Sequence, residues 1–138
     1  MRIAVVGFGN LGRAAAELVK SRGHELYGIF SRRRAAELSC EFGRVYPFSE
    51  IFSHEGNFDF LINAGASKSD LIHTTPSLLK SFDVVDSYDI HDKLREHLCA
   101  CGGEAKKYGR IAAVGVGWDP GLLSVIRLYF NTITATVP

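Results

Sequence analysis

The opening of the chain constrains its fold most. Ile3-Ala4-Val5-Val6 is a short apolar run, and Gly7-Phe8-Gly9-Asn10-Leu11-Gly12 follows it directly. Leu11, Ala14, Ala15, Leu18 and Val19 then recur at i, i+3, i+4, i+7 and i+8, one face of a helix, and Gly23 is placed to stop it. The order is therefore buried strand, glycine turn, helix. A GxGxxG pattern alone is a weak signal, but between a strand and a helix it has a mechanical meaning. Gly7 permits a tight turn, Gly9 leaves the backbone open to a pyrophosphate, and Gly12 lets the helix lie close to the strand. The free N–H groups at the helix start then face the anion.

The same alternation continues along the chain. Strands are expected at Glu25–Phe30, Arg44–Tyr46, Phe58–Asn63, Phe82–Asp86 and Ile111–Val114. Helices are expected at Arg33–Phe42, Ser69–Ser81, Asp92–Tyr108 and Leu122–Phe130. Pro76 lies inside the second of these and Gly102-Gly103 inside the third, where each glycine costs ~1 kcal/mol. Strands alternating with helices imply parallel strands joined by crossovers. The predicted class is α/β: a doubly wound parallel sheet of about six strands with helices on both faces, its ligands at the carboxyl ends of the strands.

Composition narrows the function. The chain has 138 residues, enough for one domain with a real core, and no repeat or flexible linker divides it. Sixteen basic residues against fifteen acidic ones leave a net charge of +1, which gives no electrostatic case for nucleic acid or a membrane surface. No apolar run approaches the ~20 residues of a membrane span, and the apolar stretch at the N-terminus is too short for a signal peptide. Three cysteines, with Cys99 and Cys101 too close for a comfortable bridge, suit a reduced, cytoplasmic setting. His91, His97, Cys99 and Cys101 suggest a metal cluster, but on a helix residues 97 and 101 share a face while 99 points away, so no metal site is predicted. Neither a nucleophile elbow nor the Gly-Lys-Ser/Thr ending of a nucleotide triphosphatase is present.

The remaining strand ends carry the candidate chemistry. After the second strand the chain reads Phe30-Ser31-Arg32-Arg33-Arg34, without the acidic residue that grips a ribose 2′-hydroxyl. Guanidinium groups hold a 2′-phosphate with parallel charge-assisted bonds, so NADP is predicted over NAD. After the fourth strand, Asn63-Ala64-Gly65-Ala66-Ser67 is a small-residue turn, either an ordinary loop or a place where backbone passes under a cofactor. After the fifth and sixth strands come Asp86-Ser87-Tyr88-Asp89-Ile90-His91 and Gly115-Val116-Gly117-Trp118-Asp119-Pro120-Gly121. Asp89 and Asp119 could converge on a small cationic group beside the flat wall of Trp118, while taken alone each suits a helix N-cap.

These segments, in this order and spacing, resemble meso-diaminopimelate dehydrogenase, the nucleotide-binding part of which is of the Rossmann type. The resemblance rests on Gly7 to Arg13, Gly28 to Arg33, Asp86 to His91, and Gly117 to Gly121 with Ser124 and Arg127. It implies an NADP-dependent enzyme of lysine and cell-wall metabolism. Such an enzyme oxidatively deaminates the D-centre of meso-2,6-diaminopimelate to L-2-amino-6-oxopimelate and ammonia. By position it implies Asp89 and Asp119 at the substrate's reacting end with Trp118 as a pocket wall. It implies Gly7, Gly9, Asn10, Leu11, Gly12, Ser31, Arg32, Arg33, Gly65 and Ser67 as cofactor contacts. Ala66 stands where the family usually has glycine. The family continues into a substrate and dimerisation domain and acts as a homodimer. Residues 1–130 are therefore expected to be the NADP-binding domain and 131–138 a tail, with NADP binding but no turnover by this chain alone. A non-catalytic NAD(P)-sensing regulatory domain is the rival expectation. A dihydrodipicolinate reductase relative is disfavoured, because its paired histidine motif is missing.

Overall fold

A computed structural model describes residues 1–33, 43–119 and 121–134. The expected helix over Arg33–Phe42 lies almost wholly outside the described residues. The strands are β1 (Arg2–Val6), β2 (Glu25–Ser31), β3 (Val45–Pro47), β4 (Phe60–Asn63), β5 (Val84–Asp86) and β6 (Ala112–Ala113). The helices are α1 (Asn10–Ser21), α2 (Ile72–Leu78), α3 (Leu94–Tyr108) and α4 (Leu122–Thr134). All six strands form one sheet in the order β3-β2-β1-β4-β5-β6. Every adjacent pair runs parallel. The order reverses direction beside β1, and a cleft opens there outside the carboxyl ends of the strands, as in other doubly wound sheets.

Alternation along β1 divides the core. Ala4 and Val6 point to one face, where they join Phe30, Leu61 and Val84 beneath Leu78 of α2, Leu79 just after it, and Cys101 and Ala105 of α3. Val5 points to the other face and packs with Phe8, Ile29 and Ala16 of α1. Helices thus cover both faces, as the alternating sequence requires. The turn after β3 is a 3-10 helix, Phe48–His54, which the sequence pattern did not reveal; its Ile51 is fully buried. The helix expected over Ser69–Ser81 opens instead with a wide π turn, Ser67–Leu71, and regular α-helix begins only at Ile72. α3 carries Gly102 and Gly103 without interruption and ends on Gly109 in the left-handed conformation.

Two expectations, one for α1 and one for α4, need correction. Of the expected α1 face, Val19 is buried and Ala15 packs partly against the core, but the other residues that meet the sheet are Gly12 and Ala16. A Cβ on Gly12 would lie 2.1 Å from the carbonyl oxygen of Gly7, so only small side chains fit beneath this helix. Leu11 and Leu18 are exposed and, with Ile62, Val85 and Val116, line an apolar groove of about 480 Å³. α4 runs through Thr134, past the expected end at Phe130 and into the expected tail, and none of its residues is buried among the described residues.

The contact beneath α1 predicts the first outcome. Gly12→Ala places its new carbon against backbone rather than a movable side chain. It should lose roughly 1–3 kcal/mol of stability, as overpacking usually does. Urea unfolding followed by circular dichroism measures this, and an unchanged midpoint would mean the helix lies farther from the strand.

Candidate functional site

The glycine turn closes on a neighbour as well as on its own helix. Gly7 has φ +96°, and a Cβ there would lie 2.8 Å from the carbonyl oxygen of Ala64. The turn after β1 and the small-residue turn after β4 are therefore in backbone contact, tied further by the Ala64 N–H donating to Val6 O at 2.8 Å. Gly9 differs: a Cβ there would meet nothing within 4 Å. It faces an open cleft of about 410 Å³, whose floor is Gly7 to Leu11 and whose far wall is Ala64 to Ala66. A side chain at Gly9 would project into the space that an anion bound at the start of α1 would need.

Ser31, Arg32 and Arg33 line the same cleft at the end of β2. Ser31 Oγ accepts the N–H of Arg33 at 3.0 Å, and the Arg33 guanidinium donates to the carbonyl oxygen of Phe8 at 2.9 Å. The Arg32 guanidinium reaches across the cleft to Asp70 Oδ2 at 2.6 Å. Asp70 also accepts the N–H of Ala66. Desolvation pushes the Asp70 carboxyl up, but the Ala66 N–H and Arg32 outweigh it and hold it below the usual carboxylate range. Sequence reasoning passed over Asp70; its spacing from the small-residue turn gave no sign that it would meet Arg32. Of the other expected cofactor contacts, Gly65 lines the cleft, while Gly12 packs below it. Ser67 faces the next loop, where its Oγ accepts the N–H of Asp89 at 3.3 Å.

The loops after β5 and β6 leave the same edge of the sheet. Trp118 is 72% exposed. Asp89 is exposed, and among the described residues its carboxylate has no ion-pair partner. Asp119 is already engaged. Its Oδ1 accepts from Ser124 at 3.0 Å and lies 3.2 Å from His91 Nε2, and its Oδ2 accepts from Arg127 at 2.9 Å. Desolvation pushes this carboxyl up, but Ser124, Arg127 and the nearby His91 more than offset it, and it lies below the usual range. Among the described residues neither Asp89 nor Asp119 accepts a backbone N–H, so neither acts as the N-cap that its position suggested. His91 joins the loop of Asp89 to Asp119, a link that its place in the sequence did not disclose.

Beneath these loops lies a buried polar cluster; the shared helix face of His97 and Cys101 was read from the sequence, but their meeting with Asp86 and Thr75 was not. Asp86, the last residue of β5, has Oδ2 within 2.7 Å of both Thr75 Oγ1 and His97 Nε2. Cys101 Sγ lies 3.6 Å from His97 Nε2. Asp86, His97 and Cys101 have metal-ligand chemistry and proximity. Burial pushes the Cys101 thiol up to about 12, with the Asp86 charge adding to it. Asp86 Oδ2 is already engaged by both Thr75 and His97, and the groups form a buried hydrogen-bonded network.

Asp86 gives a pH prediction. Desolvation raises its carboxyl, but the bonds from His97, Gly115, Thr75 and Tyr88 prevail and lower it overall. Below about pH 4, the ordinary Asp value, the unfolded chain then binds more protons than the folded one. The contribution of Asp86 is complete above that pH and is lost as pH falls through the depressed folded value. Urea unfolding of the wild type at pH values from 7 to 3 should show this loss, and Asp86→Asn should flatten the acid limb of the curve.

No family model matches the chain. The meso-diaminopimelate D-dehydrogenase of Ureibacillus thermosphaericus is 33% identical over 130 residues, covering 93% of this chain and 40% of that protein. The solved C. glutamicum DAP dehydrogenase in complex with DAP superposes with a TM-score of 0.85 at 32% identity, covering 96% of this chain and 41% of that one. An engineered D-amino acid dehydrogenase bound to NADP+ superposes with a TM-score of 0.83 at 32% identity, covering 96% and 41%. The chain thus spans about two fifths of the length of these relatives, and over that stretch it is similar in sequence and in fold to the meso-diaminopimelate D-dehydrogenases.

Proposed function

We propose that this chain is the NADP-binding part of an NADP-dependent diaminopimelate dehydrogenase. The proposed reaction is oxidative deamination of the D-centre of meso-2,6-diaminopimelate to L-2-amino-6-oxopimelate and ammonia. One observation carries the reading: the glycine turn and the Ser31-Arg32-Arg33 segment line a single cleft. The relatives, one of them solved with NADP+ and one with DAP, support it.

The residues fit the cofactor. Gly9 leaves the approach to the start of α1 clear, where free N–H groups would hold the pyrophosphate. Arg32 and Arg33 are the groups to receive the 2′-phosphate, with Ser31 as a hydroxyl donor. To do so Arg32 exchanges the Asp70 carboxylate for the phosphate, and its 72% exposed side chain is free to make that movement. Ala64-Gly65-Ala66 offers a wall without bulk for the nicotinamide end. Bound NADP+ would supply the hydride acceptor.

The chain's own residues would handle the amine. Asp89 and Asp119 would hold the substrate ammonium beside the Trp118 ring, whose N–H is a donor for a carboxylate. Asp119 already accepts from Arg127 and Ser124, so its role is to orient. Asp89 is the freer carboxylate, and a carboxylate oxygen there would take the proton as the amine becomes reactive.

Fluorescence titration with NADPH and NADH tests the cofactor reading. NADPH should bind more tightly, and Arg32→Ala or Arg33→Ala should each weaken it by about tenfold to a hundredfold while leaving NADH little changed, the worth of one charge-assisted hydrogen bond. Equal affinity for both nucleotides would count heavily against this reading. A second measurement addresses turnover. The 138-residue polypeptide alone should bind NADPH yet reduce no NADP+ in the presence of meso-diaminopimelate, and steady nucleotide reduction would overturn that expectation.

A further inference from the structure

Asp86 is 2% exposed, and its side chain is wholly out of contact with water. A buried carboxylate is costly unless every oxygen is engaged. Here Oδ1 accepts the N–H of Tyr88 at 3.2 Å and that of Gly115 at 2.9 Å. Oδ2 accepts the Thr75 hydroxyl and the His97 Nε2–H, each at 2.7 Å. The backbone oxygen of the same residue accepts the N–H of Val116 at 2.9 Å. These partners fall into two sets. Thr75 and His97 belong to α2 and α3, the rigid layer below. Tyr88, Gly115 and Val116 are the roots of the two loops above, one residue before Asp89 and two residues before Trp118.

His97 fastens the first loop a second time. Its ring stacks on that of Tyr88, with centroids 4.1 Å apart and planes 23° from parallel. Tyr88 is itself fully buried, so the residue that precedes the exposed Asp89 is held both by α3 and by the end of β5. Donating Nε2–H to Asp86 also settles the ring's orientation, much as an outer partner orients a histidine in a metal site.

We infer that Asp86 and His97 are positioning residues that couple the loop of Asp89 to the loop of Trp118 and Asp119. The carboxylate is needed rather than an amide because four donors converge on it. An asparagine could accept on one side only and would turn its own N–H groups toward Thr75 and His97. Loosening the hub would free both loops together while leaving the sheet, which is held by its own ladders, in place. That these loops form the substrate side of a dehydrogenase rests on the function proposed above; the mechanical coupling does not.

The single tryptophan of the chain, Trp118, makes the coupling measurable without cofactor or substrate. Its fluorescence anisotropy in the full 138-residue chain would be compared among wild type, Asp86→Asn, His97→Ala, His97→Gln, Thr75→Val and Leu79→Ala. Leu79 is a fully buried core residue and serves as a control that destabilises without removing a side-chain partner of Asp86 or His97. All would be read at a temperature where circular dichroism shows each one folded. The expected result is a loss of anisotropy in Asp86→Asn, His97→Ala and Thr75→Val. His97→Gln, which retains an N–H donor, should recover part of it, and Leu79→Ala should match the wild type despite its lower unfolding temperature. If Asp86→Asn does not fold, His97→Ala and Thr75→Val carry the comparison. Anisotropy that stays at the wild-type value in the hub variants, or that falls as far in Leu79→Ala, would overturn the assignment. A protein that never binds NADPH would still give a clear answer, so this test and that of the proposed function fail separately.

Discussion

The architecture depends on how closely α1 approaches β1. The helix starts where its first turn has no side chain between Gly12 and the carbonyl of Gly7. That proximity aims the first N–H groups of α1 out over the edge of the sheet. It also brings Gly7 against the backbone of Ala64, so the turns after β1 and β4 form one continuous surface. Close packing leaves little slack in such a contact. Enlarging either glycine would displace the helix, open the cleft and separate the arginines of β2 from the turn they face.

A second constraint acts on the other half of the edge. Parallel strands deliver every connecting loop to the same side, but strand pairing stops at Asp86 and Ala113 and does not hold the loops beyond. The buried carboxylate of Asp86 takes over where the ladder ends. It bonds to backbone from both loops and to side chains of both helices beneath them. The cleft is therefore assembled by two devices of different chemistry. Steric closeness shapes its glycine-turn side, and a saturated network of hydrogen bonds holds the side bearing Asp89, Trp118 and Asp119. The clasp of Arg32 on Asp70 bridges the glycine-turn side, and its arginine end is largely exposed.

Much of this was legible before any coordinates. Six strand segments were placed in the right order, and β1, β2 and the glycine turn nearly to the residue, because short apolar runs and a pattern of glycines are local signals. The basic end of β2 was legible for the same reason. Boundaries drifted: the π turn at Ser67–Leu71 postponed α2, and α4 ran on to Thr134. The apolar stripe on α1 was misjudged. Periodicity marked Leu11 and Leu18 as inward, whereas the tight seat on the sheet selected Gly12 and Ala16 and left the leucines on an open groove.

Residues near one another along the chain thus decided the kinds of element, their order, and the sheet edge at which every candidate group gathers. Pairings across the chain were another matter. Asp86 with His97 spans eleven residues and Arg32 with Asp70 thirty-eight, and each joins elements whose relative placement no local pattern records. An isolated Asp after a strand looks the same whether it caps a helix, faces solvent or sits at the centre of a buried network. Its free energy depends on which donors surround it, and those donors arrive only when the sheet and its helices have packed.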